Sequence, residues 1–426
     1  MLEYNEALEY VLNLPSCSFK RYGITGILAL LNVLDNPQEK LRFIHIAGTN
    51  GKGSVSTFCA SSLKEAGFKT GLYISPYVLD FKERIQINGK FIREEEFSDL
   101  VERLKPLVEN LNKSGIFLTC FDFVTALSIE YFFKKNCSFV VFEVGMGGRL
   151  DSTNVVSCPE VSVITHIDYD HVAELGGKEK SLINIAKEKA GIIKKGCFCV
   201  FSRNQKEEVL EVLEKEIKKK EASFIIPDKP KEVCCSVFQN KFKYKGEIFK
   251  TSLFGFYQIE NALSAIEVLL KLGINLKYIQ KGLEKAFIAA RLEVVSKNPL
   301  VILEGAHNQS GVLSLKENLK LFNNSFKVGV VGIINTKDYK SMLKEIKGCF
   351  DVVIFTKIKD KRGLEPDLLA KEAKILNLNY IVEKYVLNAI LKALDFVKGK
   401  DGVVFIFGSL YLASEIKVFN YFDGLI

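Results

Sequence analysis

The chain opens its ordered pattern with a run of apolar residues, LRFIHIAG (41–48), short enough for a strand buried on both faces. SVSTFCASSLKEAGF (54–68) follows, with Val55, Phe58, Cys59, Ser62, Leu63 and Ala66 at helical spacing, and Gly67 suits a helix C-terminus. KTGLYIS (69–75) predicts the next strand, and helices are expected over about 93–113 and through DFVTALSIEYFF. The strands SFVVFEVG (138–145) and VSVITHI (161–167) come next. Strands separated by helices predict βαβ units and a parallel sheet.

Between 223 and 253 the pattern changes to short β segments with turn residues at Gln239, Asn240 and Gly246, which predicts a small antiparallel excursion. Helix returns at 258–272. Alternation then restarts with PLVILEG (299–305), KVGVVGI (327–333), DVVIFTKI (351–358), NYIVEKY (379–385) and GVVFIFGS (402–409), predicting a second α/β domain. The expected division is a first domain over 1–290, including the small β region, a linker at 291–298, and a second domain over 299–426. The fold class is therefore α/β: an N-terminal P-loop-type domain with a mainly parallel sheet, and a C-terminal Rossmann-like domain.

Composition narrows the function classes. A net charge of +8 from 59 basic and 51 acidic residues suits anionic small substrates as well as nucleic acid, and no basic patch interleaved with aromatics stands out apart from local runs such as KEIKKKE (215–221), which read as a solvated helix face. The ten cysteines form no CxxC pair and several lie in apolar runs, which suits buried free thiols in a reducing compartment. No run reaches the apolar length of a membrane span and the N-terminus lacks an early basic cluster, so a cytoplasmic protein is expected.

Chemistry is concentrated in a few segments. AGTNGKGS (47–54) departs from the P-loop pattern, with Ile46 where the first glycine belongs and Gly53 between Lys52 and Ser54. Its place between a strand and a helix still suits phosphate, because loop N–H groups and the helix N-terminus both favour an anion. Lys52 would then reach the β and γ phosphates, with Thr49 or Ser54 near a metal; the plain alternative is a glycine turn capped by Ser54. Glu143 lies inside an apolar strand, where a carboxylate requires a cation. A hard divalent ion held by Glu143, His171 and a hydroxyl such as Ser75 would supply one, as would pairing with Arg149 or Arg84. The four histidines all fall in or beside such segments.

Eight motifs in order along nearly the whole chain, AGTNGKGS, ISPY with ERIQING, EVGMGGRLDSTN, DYDH with IAKEKAGI, YQIENA, AARLE, EGAHN and FGSLY, resemble the folylpolyglutamate synthase and dihydrofolate synthase family of the Mur-ligase superfamily. The resemblance implies an ATP-dependent amide ligase: γ-phosphate passes to a pteroate or folate carboxylate, and the glutamate amine attacks the acyl phosphate. A carboxylate is a poor electrophile, and phosphorylation supplies its leaving group. It further implies Ser75 and Glu143 as ligands of one Mg²⁺, His171 of a second, and Lys189 as a lysine carbamylated into an anionic ligand, for which its amine must be neutral. Lys189 taken alone is a helix lysine in solvent.

ATP contacts implied in the same way are Thr49, Asn50, Gly51, Lys52, Gly53, Ser54, Asn261, Arg291, Glu304 and His307, with Lys52, Lys189 and His171 serving catalysis. Thr119, Phe121, Arg149 and Asp151 match the pteroate or folate pocket, Phe121 as a stacking ring and Asp151 as an acceptor; core packing is the alternative for Phe121. Cofactors expected are ATP, two Mg²⁺ ions with Mn²⁺ as a substitute, and a monovalent cation such as K⁺. Expected partners are dihydropteroate, reduced folates and L-glutamate, with no nucleic acid, no membrane, and a monomeric state. The chain departs from the family pattern at Tyr77, usually His; at Glu304, usually Asp; and at Thr25-Gly26, where a GLERI-like stretch usually carries arginine.

Other functions predict other features. A monofunctional folylpolyglutamate synthase is the nearest alternative. A P-loop conformational switch leaves Glu143, His171, Lys189 and the second domain without a role. A UDP-sugar peptide ligase wants a further N-terminal domain, for which about 40 residues before the loop give no room.

Overall fold

The computed structural model describes residues 2–15, 23–170, 172–175, 177 and 181–418. Its backbone divides into two compact units, one of 1–77, 81–229 and 260–286, the other of 78–80, 230–259 and 287–426.

The first unit is built on an eight-stranded sheet whose strands are β1 (Phe43–Ala47), β2 (Thr70–Tyr73), β3 (Ile85–Ile87), β4 (Lys90–Phe91), β5 (Phe139–Glu143), β6 (Val161–Ile164), β7 (Phe198–Phe201) and β8 (Ser223–Ile225). They lie in the order β4-β3-β2-β5-β1-β6-β7-β8. Pairing is parallel from β2 to β8, and β3 and β4 add an antiparallel edge. Every residue of β1, β2, β5 and β6 is buried, as a sheet covered by helices on both faces requires. One apolar cluster gathers Phe43, Tyr73, Phe97, Phe123, Phe132 and Phe142; a second gathers Ile164, Ile185, Phe201, Val209 and Leu213.

Strand order decides where a ligand can sit. The chain leaves β1 toward β2 on one side and later crosses to β6 on the other, so the connections diverge at the carboxyl end of β1. That divergence opens the crevice in which parallel sheets bind ligands. The helix Lys52–Glu65 begins there, after Gly51 at φ +91°. It ends at Gly67, φ +89°, where Phe68 N–H donates to the Leu63 carbonyl and Gly67 N–H to that of Lys64, both at 3.0 Å. This is the predicted glycine C-terminus.

The antiparallel excursion forms β9 (Lys231–Cys235), β10 (Asn240–Tyr244) and β11 (Glu247–Thr251). Lys245 and Gly246, both at positive φ, make the tight turn between the last two. Its contacts group it with the second unit, whereas the sequence pattern assigns it to the first.

The second unit's large sheet contains β12 (Glu293–Lys297), β13 (Leu300–Leu303), β14 (Phe326–Val331), β15 (Val352–Phe355), β16 (Tyr380–Val382) and β17 (Gly402–Phe407), in the order β12-β13-β17-β14-β15-β16. All pairs are parallel except β12 with β13. Successive residues alternate between two cores: Val301, Leu303, Val404 and Ile406 enter one, while Ile302, Val403, Phe405 and Phe407 enter the other. Period-two alternation into two apolar layers is the signature of a sheet sandwiched between helices. Residues 291–298, expected as a linker, instead hold β12, the antiparallel edge of this sheet. Among the described residues, no helix is long and apolar enough to cross a membrane.

Candidate active site

The loop after β1 is fixed from both sides. Thr49 N–H donates to the His166 carbonyl at 2.8 Å, and the Thr49 hydroxyl exchanges hydrogen bonds with the Asp168 backbone, donating to its carbonyl at 3.0 Å and accepting from its N–H at 3.1 Å. Thr49 is thus occupied in joining the loop to the turn after β6. Ser54 is buried in the first turn of the helix. A Cβ at Gly51 would stand 2.3 Å from Asn261 Oδ1, so the asparagine of the YQIENA motif lies directly against the loop.

Two lysines converge on one carbonyl. Lys52 Nζ donates to the Gly48 and Thr49 carbonyls, each at 3.2 Å, and Lys189 Nζ donates to Gly48 O at 2.6 Å from 141 residues away. Lys189 is only 5% exposed. Burial first, and the nearby Lys52 charge second, push its amine down to about 7. Lys189 is therefore no solvated helix lysine: near neutral pH much of it is an uncharged nucleophile. Backbone N–H groups, a helix N-terminus and two amines around one glycine turn can hold an anion of phosphate chemistry.

Glu143 ends β5 and stands in register with Ile46 of β1, which places its carboxylate beside the same loop. It is 4% exposed, and its Oε2 accepts from Ser75 N–H at 3.1 Å. Arg149 is bound elsewhere, by Glu188 at 2.8 Å. Arg84 lies over the rings of Tyr77 and Phe81. His171 lies outside the described residues. Among the described residues, no three His, Cys, Asp or Glu side chains form a metal cage. A buried carboxylate beside a serine and a phosphate-type loop nevertheless fits Mg²⁺, which is usually held by one or two carboxylates with water and phosphate oxygens completing the shell.

The pteroate candidates lie in a buried polar network. Thr119 caps the helix Cys120–Lys134, its hydroxyl accepting from Asp122 N–H at 3.1 Å and donating to Asp122 Oδ2 at 2.7 Å. Ser152 donates to the other Asp122 oxygen at 2.6 Å. The Phe121 ring is half-buried and faces Gly145, where a Cβ would come within 2.4 Å of it. Asp151 differs from the expectation of an acceptor free for substrate. Its Oδ1 accepts from the Thr153 hydroxyl at 2.6 Å and from Thr153 N–H at 3.0 Å, and its Oδ2 from Met146 N–H at 2.8 Å. Burial pushes its carboxyl up against these bonds.

In the second unit, Glu304 is buried at the end of β13 and accepts from Tyr257 Oη at 3.0 Å and Leu292 N–H at 2.8 Å. Burial pushes its carboxyl up, with the Arg291 charge opposing. Arg291 itself lies close to Gly305, where a Cβ would meet Nη1 at 2.1 Å. His307 shares a 2.7 Å hydrogen bond between Nδ1 and the Gly305 carbonyl. Arg291, Glu304 and His307, expected from the sequence as nucleotide contacts, lie near one another in this unit, whereas Tyr257, the donor that holds the glutamate, is not among the site residues the sequence singles out. The sequence also leaves unassigned His45, fully buried on β1; its one signal is a histidine in an otherwise apolar strand.

The Mur ligase middle domain family matches residues 107–269, and the family described as Mur ligase, glutamate ligase domain matches 290–410. The dihydrofolate synthase/folylpolyglutamate synthase of Bacillus subtilis is 35% identical, covering 93% of this chain and 94% of its own. The folylpolyglutamate synthase of Lacticaseibacillus casei is 32% identical, covering 98% of each chain. A Mycobacterium tuberculosis folylpolyglutamate synthase, solved in complex with ADP and AMPPCP, superimposes with a TM-score of 0.87 at 27% identity over 98% of each chain.

Proposed function

The chain belongs to the folylpolyglutamate synthase/dihydrofolate synthase family of Mur ligases, and from that premise we propose that it joins L-glutamate to dihydropteroate and to reduced folates at the expense of ATP. The convergence of Lys52 and Lys189 on the Gly48 carbonyl, at the carboxyl end of β1, carries the reading.

The chemistry follows from the residues present. The loop 48–53 binds the triphosphate through backbone N–H groups, and Lys52 offsets negative charge on the phosphoryl as it moves to the substrate carboxylate. The carboxylate oxygen forms a bond to phosphorus as the bond to ADP breaks; the glutamate amine then attacks the acyl carbon and phosphate leaves. Phe121 and the loop 145–151 hold the pterin end, which orients the distal carboxylate toward the phosphates. Two Mg²⁺ ions, one held through Ser75 and Glu143 and a second through His171, with Lys189 as its carbamate, would add positive charge at the phosphate oxygens. Asn261, Arg291, Glu304 and His307 are proposed nucleotide contacts. The nine described cysteines, all free thiols, support a cytoplasmic setting, in which we propose a monomer.

The test is purified protein with ATP, Mg²⁺ and labelled glutamate, given dihydropteroate in one reaction and tetrahydrofolate in another. Label in both products is expected. Label with tetrahydrofolate alone would reduce the assignment to a monofunctional folylpolyglutamate synthase, and ATP hydrolysis with neither product would refute the ligase assignment.

A further inference from the structure

His45 is the residue that the reaction described above does not use and that the fold does not account for. It is fully buried in the central strand β1, 6.2 Å from the Phe142 ring, and no metal, phosphate or substrate role is open to a ring so enclosed. Its Nε2 lies 2.9 Å from the Thr153 hydroxyl, whereas its Nδ1 is buried without a hydrogen-bond partner among the described residues. A buried polar atom left alone calls for an explanation.

The explanation lies in the direction of the hydrogen bonds. Asp151 accepts from Thr153 N–H, from Met146 N–H and from Gly145 N–H, three donors that favour its carboxylate form against the burial that pushes its carboxyl up. The Thr153 hydroxyl has one proton, and at 2.6 Å from Asp151 Oδ1 it donates that proton there. Toward His45 it can only accept, so the ring carries its proton on Nε2. The orphan Nδ1 is then a bare lone pair, which is less costly to bury than an orphan N–H. Burial, assisted by the Lys194 charge, pushes the imidazole down to about 3 and keeps it neutral.

We propose that His45 is a positioning residue for the pterin face of the site: its Nε2–H, passed through Thr153 to Asp151, sets the backbone of Gly145 and Met146 against the Phe121 ring. The fit at that point is close, since a single added Cβ on Gly145 would collide with Phe121. A strand that carries the phosphate loop at its end thus also sets the wall of the pterin pocket, through three side chains. This assignment rests on the proposed ligase function and on Phe121 lying at the pterin.

The full-length protein supplies two tests. Steady-state kinetics with dihydropteroate should show that His45→Leu and Thr153→Val each raise the dihydropteroate KM about tenfold, as loss of a buried hydrogen bond in a chain that ends on a carboxylate predicts, with the ATP KM unchanged. His45→Gln and Thr153→Ser, which keep a donor at the matching atom, should retain the wild-type KM. Equal defects in His45→Leu and His45→Gln, or an ATP KM that rises with that of dihydropteroate, would overturn the relay. The second test needs no activity: long-range ¹H–¹⁵N spectra of the histidines, with His45→Gln assigning the signal, should show a neutral Nε2–H tautomer at pH 7. An Nδ1–H tautomer or an imidazolium would refute the proposal. Wild-type protein that forms no product with either dihydropteroate or tetrahydrofolate would remove the ligase premise and leave the tautomer result standing.

Discussion

Gly51 and Gly67 bracket the same helix with nearly the same backbone angle, φ +91° and +89°, and differ in what surrounds them. A Cβ on Gly67 meets nothing within 4 Å, whereas one on Gly51 meets Asn261 Oδ1 at 2.3 Å. Replacing either by alanine forces an L side chain into the left-handed region, at a cost of about 1–2 kcal/mol. Gly67→Ala should lose that amount and no more. Gly51→Ala carries the same strain plus an overpacking cost of about 1–3 kcal/mol, since a contact that short obliges Asn261 or the loop to move. Urea denaturation of the two variants measures the difference directly. Because the displaced groups are the proposed nucleotide contacts, the ATP KM of Gly51→Ala should rise about tenfold, equivalent to about 1.4 kcal/mol, while that of Gly67→Ala stays at the wild-type value. Equal stability losses with an unchanged ATP KM in both variants would refute the claim that the loop and Asn261 are held in mutual register for nucleotide.

Lys189 has its amine pushed down to about 7, so near that pH about half is neutral, against about one part in 3,000 for an ordinary lysine. Activity should increase with added bicarbonate and fall about 10²-fold in Lys189→Met; a wild-type rate indifferent to bicarbonate would exclude the carbamate. The same shift has a stability signature with a definite sign: between pH 7 and 10.5 the unfolded chain binds the proton that the folded chain lacks, so stability of the ligand-free protein should rise with pH there. Lys189→Met should flatten that slope, measured as denaturation midpoints against pH. Tyr257→Phe removes the hydroxyl donor from the buried Glu304 and should destabilise the second unit by about 1.5–3 kcal/mol in urea melts; a change below the error of the fit would show that Glu304 is held by Leu292 N–H and its other contacts alone.

Much of this protein is determined by its sequence alone. The apolar run of β1, the helical spacing after Gly53 and the alternating strands beyond residue 299 each specify local structure, because burial on one or both faces imposes its own period on the chain. The eight motifs in order identify the chemistry for the same reason, since a phosphate loop and its capping helix are local arrangements. What required tertiary structure is everything that depends on residues distant in sequence becoming neighbours. Residues 291–298 resemble a linker until β12 pairs with β13, because an edge strand with one neighbour carries a weak hydrophobic pattern. Lys189 resembles a solvated lysine until the strand order brings it 2.6 Å from Gly48, where burial and Lys52 together change its protonation. Asp151 resembles a free acceptor until Met146 and Thr153 occupy both its oxygens, and His45 has no visible task until Thr153 arrives from 108 residues away. Desolvation and the direction of a hydrogen bond exist only once the surroundings are assembled, and those two quantities decide the roles of these side chains.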